Sequence, residues 1–289
     1  MLRLPPVEPI VVEVRRGGQV EARHRVHAVL TDPSGEIVRA AGDPELVSFF
    51  RSSAKPIQAL PLVRAREDLD ERDLAIASAS HRAEPMHLEA VRGLLAKAPA
   101  SEDELECGGG IVHNCSGKHA GMLALCRARG WPSEGYRLPE HPCQGAMLEA
   151  VEETLEAPPL GTATDGCGVV TFAYPLHRMA YGFARFERLE GGDSIAQAMR
   201  RHPELIRGAG SPDTSLMQLR PRWVAKGGAE GLLCAADGQG MGVALKAEDG
   251  SWRPLAPALA AFLDGPEELA VVELTNSRGE RVGEIVATL

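Results

Sequence analysis

Arg51-Ser52-Ser53-Ala54-Lys55-Pro56-Ile57-Gln58 marks the place where the chain changes from strand to helix periodicity. Before it, residues 9–14, 24–30 and 36–40 read as strands, with Asp32-Pro33-Ser34-Gly35 as a turn, so the chain opens as a β-meander. After it, apolar spacing near 3.6 predicts helices over 55–66, 86–97, 117–129, 142–156, 194–202 and 213–219. Several of these begin at Ser, Asp or Pro and stop near Gly or Pro. Strands then return. Residues 231–235 and 241–246 read as a hairpin about Asp237-Gly238-Gln239-Gly240, and 257–263 as a short helix. A second hairpin over 269–274 and 281–288 turns at Asn276-Ser277-Arg278-Gly279. Strands at both ends with helices between predict an α+β fold: an antiparallel sheet built from both chain termini, with a helical lobe inserted. The expectation is a single domain over 1–289, its sheet from about 9–40 and 223–289 and its helical part about 51–220.

The same stretch holds a Ser-x-x-Lys pair, Ser52 and Lys55. Positions three apart share a helix face. A serine becomes a nucleophile once a neighbour takes its proton, and a lysine does so only when burial or a nearby cation lowers its pKa. The alternative is a capping serine with a solvated lysine.

The chain has 289 residues, 44% apolar and 25% charged, which suits a globular protein with a sizeable core. Its net charge of −9 opposes binding to nucleic acid or anionic lipid. No run of eighteen apolar residues and no secretory leader pattern occurs, so a cytoplasmic protein without a membrane span is expected. The six cysteines, Cys107, Cys115, Cys126, Cys143, Cys167 and Cys234, lack the spacing of a small disulfide scaffold. Lysine is scarce: only Lys55, Lys97, Lys118, Lys226 and Lys246 occur among 31 basic residues. A chain that meets its needs for positive charge with arginine keeps lysine where a removable proton is wanted.

Lys226-Gly227-Gly228-Ala229-Glu230-Gly231 precedes the first C-terminal hairpin. It resembles the Lys-Thr-Gly element that accompanies Ser-x-x-Lys in penicillin-recognising serine enzymes. Gly227 and Gly228 would let substrate approach the backbone, and a strand N–H there could stabilise an oxyanion. Ala77-Ser78-Ala79-Ser80-His81 offers Ser80 as a second hydroxyl, or simply a helix end. His113-Asn114-Cys115-Ser116-Gly117-Lys118-His119 is the densest polar cluster. Cys115 and His119 could ligate zinc, or the helix start could bind a carboxylate. Asp165-Gly166-Cys167-Gly168 supplies another thiol and a carboxylate. A Cys115–Cys167 disulfide or two inert thiols is the structural alternative.

Together, R-S-S-A-K-P, A-S-H, H-N-C-S-G-K-H-A-G-M, D-G-C-G and K-G-G-A-E-G, in this order, resemble the rhizobial-type inducible L-asparaginase family, also called asparaginase II. The resemblance runs from about residue 28 to the C-terminus. It implies a serine β-lactamase-like and glutaminase-like fold, hydrolysis of L-asparagine to L-aspartate and ammonia, and a homodimer. It implies two Ser-Lys pairs, Ser52 with Lys55 and Ser80 with Lys226. It places zinc on Cys115, Lys118 and Cys167, with Asp165 and His119 nearby. Arg51, His81, Asn114, His119, Asp165, Gly227 and Gly228 are expected at the substrate. A glutaminase or penicillin-type acyl-serine hydrolase on the same fold, or a non-catalytic zinc or amino-acid binding protein, are the other readings.

Overall fold

The computed structural model describes residues 8–288; residues 1–7 and 289 of the single-domain expectation lie outside the described residues. The meander forms as β1 (Ile10–Arg16), β2 (Gln19–Thr31) and β3 (Ile37–Ala41). The C-terminal part contributes β7 (Val224–Gly228), β8 (Leu232–Ala236), β9 (Gly242–Ala247), β10 (Val271–Thr275) and β11 (Arg281–Thr288). These strands make one antiparallel eight-stranded sheet in the order β10-β11-β1-β2-β9-β8-β7, with β3 also on β2. The two chain ends therefore meet at β11 and β1, where Val12 faces Ala287 and Val14 faces Ile285.

Every residue of β7 and β8 is buried, the signature of strands covered on both faces. Their apolar residues run on without alternation for that reason. Helices pack on this sheet: α7 (Leu176–Phe186) on β2, β8 and β9, α11 (Leu255–Leu263) on β1, β9 and β11, and α10 (Pro212–Leu219) on β7.

The inserted lobe contains α1 (Lys55–Gln58), α2 (Leu60–Ala65), α3 (Glu71–Ala77), α4 (Pro85–Lys97), α5 (Ser116–Arg129) and α6 (Pro142–Leu155). It continues through α8 (Gly192–Arg201), α9 (Pro203–Ile206) and α10 (Pro212–Leu219). The expected single helix over 55–66 is two short ones. Pro61 has no N–H to continue the first, and the chain passes through Ala59 into a new start. Helix α3 was not expected, although Asp70 caps it with a full capping box to Asp73. Helix α7 was also unexpected, its pattern hidden behind Pro175.

The lobe carries a second sheet that the periodicity did not reveal. β4 (Val47–Phe49), β6 (Val170–Pro175) and β5 (Gly161–Thr164) pair antiparallel in the order β4-β6-β5. β5 is short and mostly exposed, so it lacks an apolar alternation. This sheet matters because it sets the turn between β5 and β6 beside the end of β4.

No helix of the described residues is long and apolar enough to cross a membrane.

Candidate active site

Four pieces of backbone build the site, the edge strand β7 among them. The first is the 3-10 turn Arg51–Ala54, which follows β4 and packs on β7. Pairing of β4 with β6 continues past the strand, with Phe50 N–H donating to Phe172 O at 2.8 Å and Arg51 N–H to Thr171 Oγ1 at 3.1 Å. Arg51 itself adopts φ +48°, a left-handed conformation that costs a non-glycine residue roughly 1–3 kcal/mol. The Thr171 bond and an ion pair from Arg51 Nε to Asp165 Oδ1 at 2.8 Å hold it there. Asp165 sits in the β5–β6 turn, so the small sheet joins Arg51 to the Asp165-Gly166-Cys167-Gly168 motif.

The second piece is the end of α3. After Ala77 the chain turns, and Ser80 N–H donates to Ile206 O, the last residue of α9, at 2.8 Å. The third is the start of α5. A Cβ on Gly117 would run into the Ile76 carbonyl, so only glycine lets α5 seat against the end of α3. That close approach carries Cys115, and Lys118 with it on α5, to the Lys55 amine that also bonds Ser80. The fourth is β7, which supplies Lys226.

Lys55 is the centre of the cluster. Its side chain is 1% exposed, and Nζ donates to Ala79 O, lies 3.0 Å from Ser80 Oγ and 3.2 Å from Cys115 Sγ. The expected pairing is thus exchanged: among the described residues Lys55 has no side-chain bond to Ser52 and is bonded to Ser80. The reason is local. Ser52 and Lys55 lie in a 3-10 turn, where the Lys55 N–H bonds Ser52 O, and Ser52 stays half-exposed while the lysine reaches inward. Ser53, fully buried, donates from Oγ to Lys226 O at 2.9 Å and stands behind the strand.

Lys226 is wholly buried, and burial pulls its amine down to about 7, with the positive charge of Lys55 adding to the effect and Asp213 opposing it. Its Nζ donates to Gly227 O at 2.7 Å and lies 3.9 Å from Asp213 Oδ2. No bond joins Ser80 to Lys226 among the described residues. Gly227 N–H is also committed, donating to Asp213 Oδ2 at 2.9 Å, so it is not free to serve an oxyanion. Gly228 packs against Phe50 O and Ser53 Oγ.

The two thiols expected at a metal do meet. Cys115 and Cys167 are both buried and free, and they share a hydrogen bond that lowers the Cys115 pKa and raises that of Cys167. Lys55 and the His113 ring favour the Cys115 thiolate further, and His113 Nδ1 accepts the Cys115 N–H at 3.1 Å. Lys118 is buried beside them; burial disfavours its ammonium form. Two soft thiols, one already inclined to the thiolate, and an amine inclined to be neutral form a donor set that fits zinc. No group of three His, Cys, Asp or Glu side chains among the described residues could hold a metal without such a lysine.

The histidines are turned elsewhere. His119 Nδ1 lies 2.8 Å from Tyr136 OH, its Nε2 has no partner, and burial lowers its pKa to about 3. His81 has both nitrogens engaged. Nδ1 accepts the Ala83 N–H at 3.0 Å, so Nε2 carries the hydrogen that Ser116 Oγ accepts at 2.8 Å. Asn114 is exposed and uses its carbonyl to accept the His81 N–H.

Sequence reasoning missed Asp213, Arg207 and Trp252. Asp213 reads as an ordinary acid in the first turn of α10, yet it is fully buried between Lys226 and Gly227. Arg207 and Trp252 lie in loops without a motif. Trp252 covers Gly227, where a Cβ would collide with its ring, and the Arg207 guanidinium stacks 3.9 Å from the ring centroid.

The profile of the L-asparaginase II family matches residues 12–287. No curated protein matches the chain in sequence. Among solved structures, a crystal structure of Mglu is similar at 12% identity and TM-score 0.48, covering 82% of this chain and 65% of that one. Mglu in its native form is similar at 12% identity and TM-score 0.48, covering 83% and 63%. A Bacillus glutaminase in the presence of 4.3 M NaCl is similar at 13% identity and TM-score 0.46, covering 83% and 90%. The chain spans less than two thirds of the length of the two Mglu chains.

Proposed function

The chain belongs to the L-asparaginase II family, and from that premise we propose that it is an amidohydrolase converting L-asparagine to L-aspartate and ammonia through an acyl-serine intermediate. The observation that carries this reading is the 3.0 Å contact of Lys55 Nζ with Ser80 Oγ inside a buried cluster that also holds Lys226.

Ser80 Oγ forms the bond to the side-chain amide carbon. Its proton passes to the hydrogen-bonded Lys55 amine when that amine is uncharged. Lys226 sheds its own proton near pH 7, so it can hold or release the proton the cluster must exchange. The carbon–nitrogen bond then breaks, the proton returns to the leaving nitrogen, and ammonia departs. Water attacks the resulting ester by the same route in reverse and frees L-aspartate. Ser52 is half-exposed and would meet substrate from the solvent side. Arg51 and Asp165, locked together, would bound that side.

Cys115, Cys167 and Lys118 would hold zinc. The ion would keep those donors deprotonated and tie the Asp165-Gly166-Cys167-Gly168 turn to the start of α5.

The test is ammonia release from L-asparagine and L-glutamine by purified protein and by Lys55→Met. Release from asparagine that Lys55→Met abolishes is the expected result. Undiminished release by Lys55→Met refutes the Ser-Lys role, and no release from either amide refutes the hydrolase.

A further inference from the structure

Two arginines lie beside the cluster, Arg51 on the turn that packs on β7 and Arg207 next to the Ile206 that holds Ser80, and they differ in one respect. Arg51 is neutralised by Asp165 at 2.8 Å. Arg207 forms no hydrogen bond and no ion pair among the described residues, although it is only partly exposed. Its neighbour Arg82 is bonded to Ala209 O and Ser211 Oγ. Asp213, the acid that most raises its pKa, is fully buried and occupied by Gly227 N–H and by its own Thr214 N–H. A half-buried guanidinium left without an acceptor is costly, and a ligand acceptor would relieve that cost.

The placement of Arg207 is not loose. It directly follows Ile206, whose carbonyl holds the Ser80 N–H. Its flat face lies on Trp252, which in turn covers Gly227 next to Lys226. Stacking fixes the guanidinium plane and leaves its edge, with the paired N–H groups, for a planar acceptor. Through Trp252 and Ile206 it therefore stands close to both the Lys226-Gly227 backbone and Ser80.

Resting on the amidohydrolase reading, we propose that Arg207, oriented by Trp252, binds the α-carboxylate of the amino-acid substrate in a bidentate ion pair and so restricts the enzyme to amides that carry one. It would anchor the end of the substrate remote from the scissile amide, contributing to ground and transition state alike, so its loss would raise KM and spare kcat.

Steady-state kinetics on wild type, Arg207→Gln and Arg207→Lys test this, with L-asparagine and β-alaninamide, which is asparagine without its α-carboxylate. Wild type should prefer asparagine. In Arg207→Gln, KM for asparagine should rise about 10- to 100-fold with kcat within about threefold, and the preference over β-alaninamide should collapse. Arg207→Lys should fall between, because a lysine cannot make the forked pair. Binding of L-aspartate by calorimetry separates this inference from the reading it rests on. Aspartate binding that Arg207→Gln loses, without turnover in wild type, keeps the carboxylate anchor and refutes the hydrolase. Turnover in wild type with KM and preference unchanged in a folded Arg207→Gln keeps the hydrolase and overturns the anchor. Neither turnover nor aspartate binding in wild type overturns both. Thermal melts of each variant show that it folds, and if Arg207→Gln does not, the Arg207→Lys values decide by the same criteria.

Discussion

Asp213 Oδ2 accepts the backbone N–H of Gly227 at 2.9 Å, fully inside the protein. This bond takes the strand donor that a Lys-Gly-Gly motif suggests for an oxyanion hole. It also sets a negative charge 3.9 Å from Lys226 Nζ, where it opposes the effect of burial on that amine. Asp213 thus positions both residues from inside the protein. Asp213→Asn keeps an acceptor and removes the charge, so the Lys226 pKa falls. The rising limb of the pH–rate profile should move to lower pH; a limb that stays in place would separate Asp213 from Lys226. Asp213→Ala leaves the Gly227 N–H unpaired and should cost ~1–3 kcal/mol of stability by chemical denaturation.

Lys226 itself predicts two pH dependences. With its amine down to about 7, activity should rise through pH 7 as the proton leaves, and Lys226→Met should lose that limb together with turnover. For stability the sign is the same. Between about 7 and the unfolded value near 10.4, the unfolded chain binds more protons than the folded one, so this group makes stability rise with pH across that window. Below about 7 its penalty is fully present. Urea midpoints measured from pH 6 to 10 should show the rise in wild type and a flatter curve in Lys226→Met.

Ser80→Ala should lower kcat on the order of a thousandfold or more, the scale seen when a nucleophile or its base is removed. Ser52→Ala should chiefly raise KM. Trapping the acyl-enzyme by acid quench and mass spectrometry locates the ester. An ester on Ser52, with the two kinetic effects reversed, would transfer the attack to the exposed hydroxyl.

Metal analysis by inductively coupled plasma mass spectrometry should find zinc in the purified protein, lost in Cys115→Ala and in Cys167→Ala with a lower Tm. Chelation should make both thiols reactive to a thiol reagent. Metal-free wild type whose Tm does not respond to added zinc would leave Cys115 and Cys167 as a plain thiol pair.

Gly117→Ala should destabilise the protein by ~1–3 kcal/mol, because the new Cβ meets the Ile76 carbonyl and pushes α5 off the end of α3. Activity at saturating substrate should fall as well, since Cys115 and Lys118 ride on α5. Full activity in a folded Gly117→Ala protein would show that the seating of α5 tolerates a methyl group.

Much of this was legible in the chain itself. Strand periodicity at both ends and helical periodicity between them gave the sheet and the inserted lobe, because covering one face of an element writes a period into its residues. The scarcity of lysine pointed to the site: Lys55, Lys118 and Lys226 are all buried, whereas Lys97 pairs with Asp70 and Asp73 near the surface. The motifs brought out Cys115 with Cys167, and named Arg51 and Asp165 without pairing them. Short elements left no such trace. Strand β5 is exposed, α3 is only seven residues long, and α1 and α2 break at a proline.

Which partner each side chain takes belongs to the tertiary structure alone. Local spacing offers Ser52 to Lys55, but the 3-10 turn points the lysine inward, to a Ser80 held by α9 and a Cys115 carried by α5. Asp213, Arg207 and Trp252 have no motif, since their roles arise from packing across distant stretches of chain. Residue types and their periods limit what each segment can become. Burial, and the need to satisfy every polar group it encloses, selects the pairs, and those contacts exist only once the sheet has brought the segments together.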